Sequence, residues 1–150
     1  MASVASLDMD KYIERSNGQT IPEIFEQGGE SLFRDIERGT LEELSGKDDH
    51  MLISCGGGII ETEACREILK RPDNVVIHLM IDSDKAAERI GDAASRPLFQ
   101  DSEQARALSS RRMPLYEEVA DLTIDTADKS VWEISSEAIR FLSEEGVLCQ

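Results

Sequence analysis

The chain has 150 residues, a length that suits one domain able to bury about 68–70% of the surface of its unfolded chain. Its 31 acidic residues against 16 Lys and Arg leave a net charge of −15, which repels nucleic-acid backbones and anionic membranes and argues against both as partners. The longest apolar stretch, residues 75–81, is broken by His78 and falls far short of the ~20 residues that span a bilayer. The first residues lack the basic start and apolar run of a secretion signal, and three cysteines (Cys55, Cys65, Cys149) without metal-ligand spacing suit reduced thiols in a cytoplasm.

In chain order, Val4–Leu7 is a weak strand candidate, followed by helices over Lys11–Ser16, Pro22–Gln27 and Glu30–Leu44. Thr20-Ile-Pro-Glu23 combines a capping box with proline in the first turn and fixes one helix start. Met51–Ser54 reads as a strand, Glu61–Lys70 as a helix, Val75–Ile81 as a strand and Ser83–Ile90 as a helix. Ser95-Arg-Pro-Leu-Phe should be extended, because a residue before proline avoids the helical region. It opens the polar stretch Gln100–Arg112, so residues 96–112 are expected to form a mobile lid. Helix Leu115–Val119, strand Leu122–Asp125 and helix Ser130–Ser143 complete the chain, with Trp132, Ile134, Ala138, Phe141 and Leu142 as core candidates. Strands alternating with helices predict an α/β sandwich around a mostly parallel sheet, whose ligands gather beyond the carboxyl ends of strands.

Asp8 and Asp10 follow the first strand candidate and Gly56-Gly57-Gly58 follow the second, which puts both groups on that edge. Two carboxylates two residues apart can hold a hydrated Mg2+ and orient or deprotonate a hydroxyl; either can equally cap the following helix. Three glycines after a strand let backbone approach a ligand and offer N–H groups to an anion, or simply turn the chain. Arg34, beside the buried face marked by Phe33 and Ile36, can fork onto a carboxylate and can also pair with Glu37 one turn on. Arg111 and Arg112 are adjacent and point apart, so one of them faces the cleft. His50 and His78 have no neighbours that suggest catalysis, and His78 reads as an ordinary strand residue.

Asp8-Met-Asp10, Phe33-Arg34-Asp35-Ile36-Glu37, Cys55-Gly56-Gly57-Gly58, Arg96-Pro97-Leu98 and Arg112-Met113-Pro114-Leu115-Tyr116 occur in the order and context of shikimate kinases. Over about residues 7–126 the chain resembles that family. The resemblance implies a nucleoside-monophosphate-kinase-like P-loop kinase fold and MgATP-dependent phosphorylation of the shikimate 3-hydroxyl, in aromatic amino-acid biosynthesis. It implies further that Asp8 belongs to the Mg2+ environment and that Asp10 binds the reacting hydroxyl and serves as base. Arg34, Gly57, Gly58 and Arg112 then match the residues that hold shikimate, with Glu37 supporting the substrate arginine. Arg96 matches the lid arginine that reaches the transferred phosphate, and Arg89 an arginine beside the adenine. The interval between Arg96 and Arg112 is rather short for the family's lid.

One part of the family pattern is absent. A phosphate-cradling loop needs Gly-x4-Gly-Lys-Ser/Thr, and of the five lysines only Lys47 follows a glycine, with Leu41 and Asp48 where the first glycine and the hydroxyl should be. Family members carry this loop after a strand in the middle of the sheet. The chain is therefore expected to be a shikimate kinase lacking its first strand and P-loop, with ATP binding lost and two strands left with unpaired edges. The alternatives are a non-catalytic shikimate-binding or interaction module and one half of a split kinase completed by a separate P-loop segment.

Overall fold

The computed structural model describes residues 5–47, 50–81 and 102–147, which fall into two compact units divided at Val75. The amino-terminal unit begins with strand β1 (Ala5–Asp8) and helix α1 (Met9–Asn17), then helix α2 (Ile21–Ser45), strand β2 (Met51–Ser54), a 3-10 turn (Gly57–Glu61) and helix α3 (Glu63–Leu69). The carboxy-terminal unit has strand β3 (Ile77–Met80), helix α4 (Ser102–Val119), strand β4 (Leu122–Asp125) and helix α5 (Val131–Glu144). Both strand pairs are parallel: β1 lies on β2 with Asp8 opposite Ser54, and β3 on β4 with Met80 opposite Asp125. Among the described residues each strand has one hydrogen-bonded neighbour, and Leu52 on β2 and Leu79 on β3 remain about half exposed.

In the amino-terminal unit Met9 and Ile13 of α1, Ile24, Phe33, Leu41 and Leu44 of α2, Ile59 of the turn, and Cys65 and Ile68 of α3 make one core. The expected helices Pro22–Gln27 and Glu30–Leu44 are two halves of α2, joined at Gly29, whose φ of 71° lies in the left-handed region that a β-carbon disfavours. Thr20 makes the anticipated capping box, with its hydroxyl accepting from the Glu23 N–H at 3.3 Å. Phe33, Glu37, Leu41 and Leu44 recur at helical spacing on one buried stripe, so the stripe contains a carboxylate.

In the carboxy-terminal unit the segment expected to be lid is in part regular helix. Residues 102–112 form the first half of α4, while 96–101, Arg89 and the predicted helix 83–90 lie outside the described residues. Ala105, Leu108, Arg112 and Val119 are its buried residues at spacings of three, four and seven, a helical period partly disguised by an arginine and by Pro114 inside the helix. Arg111 is exposed and Arg112 buried, as adjacent helical residues pointing apart require. The core assignment of Trp132 is corrected: Trp132 is 80% exposed, because the Ser130 capping box puts it in the first turn of α5, whose Ile134, Ala138, Phe141 and Leu142 are only half-buried.

His78 lies flat on Tyr116, ring centroids 4.3 Å apart, with a buried Nδ1 that finds no hydrogen-bond partner. Burial holds its pKa below the usual 6.5, against a smaller opposing pull from Glu117. The unfolded chain therefore takes up the proton more readily, so the stability tied to neutral His78 is present above pH 6.5 and is lost as pH falls below it. Denaturant melts of the parent and His78→Phe, which keeps a stacked ring and cannot titrate, should diverge between pH 7.5 and 5.5, the parent losing more. Parallel pH profiles would contradict this.

Candidate active site

The site is built where β1 and β2 end side by side. Asp8, the last residue of β1, is the N-cap of α1: its Oδ1 accepts from the N–H groups of Asp10 at 3.0 Å and Lys11 at 3.4 Å. Asp10, in the first turn of α1, points its carboxylate to the loop after β2, because a β-carbon on Gly56 would lie 3.5 Å from its Oδ1 and 3.6 Å from its Oδ2. The aspartates thus divide the roles the sequence left open, one capping the helix and the other facing the glycines.

Arg34 comes from the opposite side. Its Nη1 donates to Glu37 Oε1 at 3.0 Å, while Nε and Nη2 donate to Glu30 Oε1 at 3.3 and 3.2 Å. Its Cζ sits 5.3 Å from the Phe33 ring centroid, and Phe33 in turn packs on Phe25 with centroids 5.1 Å apart. Glu37 is 1% exposed, so its charge is tolerable only with a partner; removing one member of a buried pair costs about 3–5 kcal/mol. Gly58 completes the arrangement: a β-carbon there would lie 2.6 Å from Nη1 and 2.8 Å from Cζ, and closer still to Nη2. Arg34 and Asp10 therefore flank the same three-glycine loop, which at Gly58 leaves no room for a side chain.

Cys55, directly before the loop, is exposed as a residue, yet its thiol is pushed up to about 12, by burial first and then by the negative charges of Glu37 and Asp10. Burial and Glu37 likewise raise the buried Cys65 thiol to about 11. Both stay protonated at neutral pH, so neither is an activated nucleophile here. Arg112 belongs to the carboxy-terminal unit, where it is buried in α4. Arg96 and Arg89 lie outside the described residues. Sequence reasoning missed Glu30, although its place four residues before Arg34 was the signal that could have found it.

A guanidinium held by carboxylates and the Asp10 carboxylate stand on either side of a glycine loop where a parallel strand pair ends, the edge at which α/β sheets gather ligands. The shikimate kinase family model matches residues 1–143. The shikimate kinase of Streptococcus thermophilus is 37% identical over 133 residues, covering 86% of this chain and 82% of that protein; that of Lactococcus lactis is 42% identical over 132 residues, covering 87% and 80%. A solved structure of Acinetobacter baumannii shikimate kinase in complex with shikimate superposes with a TM-score of 0.88 at 32% identity, covering 97% of this chain and 82% of that one. The chain belongs to the shikimate kinase family, and its fold is that of the P-loop kinases.

The family uses ATP and Mg2+, and the residues present do not fit that pair by themselves. The 150 residues contain no Gly-x4-Gly-Lys-Ser/Thr, Asp8 is engaged as a helix cap, and no group of three or more His, Cys, Asp or Glu suited to a metal ion occurs among the described residues.

The contact between Gly58 and Arg34 has a measurable consequence. Gly58→Ala should destabilise the chain by about 1–3 kcal/mol, since the methyl group must drive the guanidinium off buried Glu37. Gly39→Ala, on the exposed side of α2 with nothing within 4 Å, should instead stabilise by about 0.5–1 kcal/mol. Urea melts of the two variants would contradict the packing described if they shifted alike.

Proposed function

We propose that this chain is the acceptor-binding portion of a shikimate kinase, able to hold shikimate and dependent for phosphoryl transfer on a P-loop that these 150 residues do not contain. The observation that carries the reading is Arg34, whose outer edge faces the glycine loop while Asp10 faces the same loop from the other side. An anionic ring substrate bearing hydroxyls fits between them: its carboxylate on Arg34 and on the N–H groups of Gly57 and Gly58, one ring hydroxyl on Asp10. By resemblance to the family, Arg112 is a further substrate-binding cation, and Arg96 and Arg89 belong with the phosphates and the adenine. Asp10 takes the hydroxyl proton as base, and Asp8 joins the Mg2+ environment only when nucleotide phosphates bring the ion. The exposed edges of the strand pairs are what an additional strand, carrying the P-loop, would cover. A cytoplasmic setting agrees with this substrate and with the reduced cysteines.

Phosphoryl transfer rests on positioning and charge neutralisation, so loss of the lysine and N–H cradle removes most of the rate. Purified chain with MgATP and shikimate should form no shikimate 3-phosphate above background; turnover near the ~1–100 s⁻¹ of ordinary kinases would overturn this. Calorimetry should show weak shikimate binding by the parent, reduced about tenfold or more in Arg34→Ala and Arg112→Ala, because a hydrogen bond to a charged group is worth about 1.5–3 kcal/mol. Arg140→Ala on the exposed side of α5 is the control. A folded parent that ignores shikimate would move the weight to an interaction module derived from the family.

A further inference from the structure

A guanidinium has two edges that can fork onto a carboxylate: the side edge, Nε and Nη2, and the end edge, Nη1 and Nη2. Glu30 Oε1 occupies the side edge at 3.3 and 3.2 Å. The β-carbon position of Gly58 lies close to both terminal nitrogens and slightly farther, at 2.8 Å, from Cζ, which places it in line with the end edge. Glu37 touches one nitrogen only, Nη1 at 3.0 Å, and a single contact leaves the guanidinium free to pivot about it. Glu30 provides the second point of attachment. It does so because the left-handed Gly29 breaks α2 and restarts the helix with Glu30 in its first turn, where a negative charge is favoured, so that Glu30, Arg34 and Glu37 fall at i, i+4 and i+7.

We infer that Glu30 is a positioning residue for the acceptor site: by holding the side edge of Arg34 it presents the end edge to the ligand carboxylate over Gly58. This rests on the reading that Arg34 binds that carboxylate. Glu30 is 48% exposed on its side chain and Glu37 1%, which separates their roles. Glu37 keeps the arginine in the unit, and Glu30 sets its orientation. Replacing Glu30 therefore leaves the fold intact and loosens the fork.

The test compares full-length parent and Glu30→Gln by calorimetry with two probes, shikimate and its methyl ester, and by the Arg34 Nε–H signal in 15N NMR without ligand. Shikimate binding should weaken about three- to tenfold through loss of preorganisation, with binding of the ester and the melting temperature unchanged. The Nε–H of Arg34 should exchange slowly in the parent and as fast as that of exposed Arg140 in the variant. Unchanged shikimate affinity would overturn the inference, and tighter binding would do so too, since it would mean that Glu30 competes with the ligand for the same edge. If the parent binds no shikimate, the acceptor reading fails on its own. The Nε–H comparison then still decides whether Glu30 restrains Arg34, and fast exchange in the parent refutes it.

Discussion

A carboxylate buried in an apolar helix stripe is the constraint from which the amino-terminal unit takes its form. Glu37 stands between Phe33 and Leu41 on the core face of α2, and so needs a cation beside it. Arg34 answers from one turn earlier, with its Cζ 5.3 Å from the Phe33 ring centroid and its terminal nitrogens against the loop after β2. That position excludes a side chain at Gly58 and explains why the loop is glycine there. Stability and the proposed ligand recognition thus share one side chain. The arginine that satisfies the core is the one whose remaining edge faces the glycine loop.

The same charges set the chemistry of the surroundings. Burial first, then the negative charge of Glu37 and, for Cys55, that of Asp10, keep the Cys55 and Cys65 thiols protonated. A dianionic phosphate donor has no cradle in such surroundings, whereas a single carboxylate meets a guanidinium in a partly desolvated setting where a charge-assisted fork is strong. The chain's overall charge of −15 disfavours polyanions still further. Recognition of a small carboxylate depends on local geometry and not on bulk attraction.

Much of this was legible in the sequence because short signals coincided with strong physical requirements. Met51–Ser54 and Leu122–Asp125 stood out as strands by their apolar, β-branched runs, and the Thr20 capping box fixed the start of α2. Gly28-Gly29 divided two predicted helices where the backbone does turn left-handed. The first half of α4 was hidden because Arg112 occupies a buried position and Pro114 reads as a breaker, two residues that contradict local rules. Trp132 misled through its composition: a large aromatic suggests a core, but the capping box that begins α5 holds it in the exposed first turn. Asp8 and Asp10 could not be told apart by spacing, since the difference lies in which backbone N–H groups α1 leaves unpaired.

Family membership does not by itself say which half of a kinase a given chain can perform. Phosphate cradling needs a loop that these 150 residues lack, while Asp10, Arg34, Gly57 and Gly58, the groups proposed to hold the acceptor, all lie in one unit. The central claim is that Arg34 fixes the acceptor carboxylate. A crystal structure of the chain with shikimate tests it most directly: the account predicts the carboxylate across Nη1 and Nη2 of Arg34 beside Gly58, and a ring hydroxyl on Asp10. Shikimate bound elsewhere, or reversed with its carboxylate away from Arg34, would contradict it.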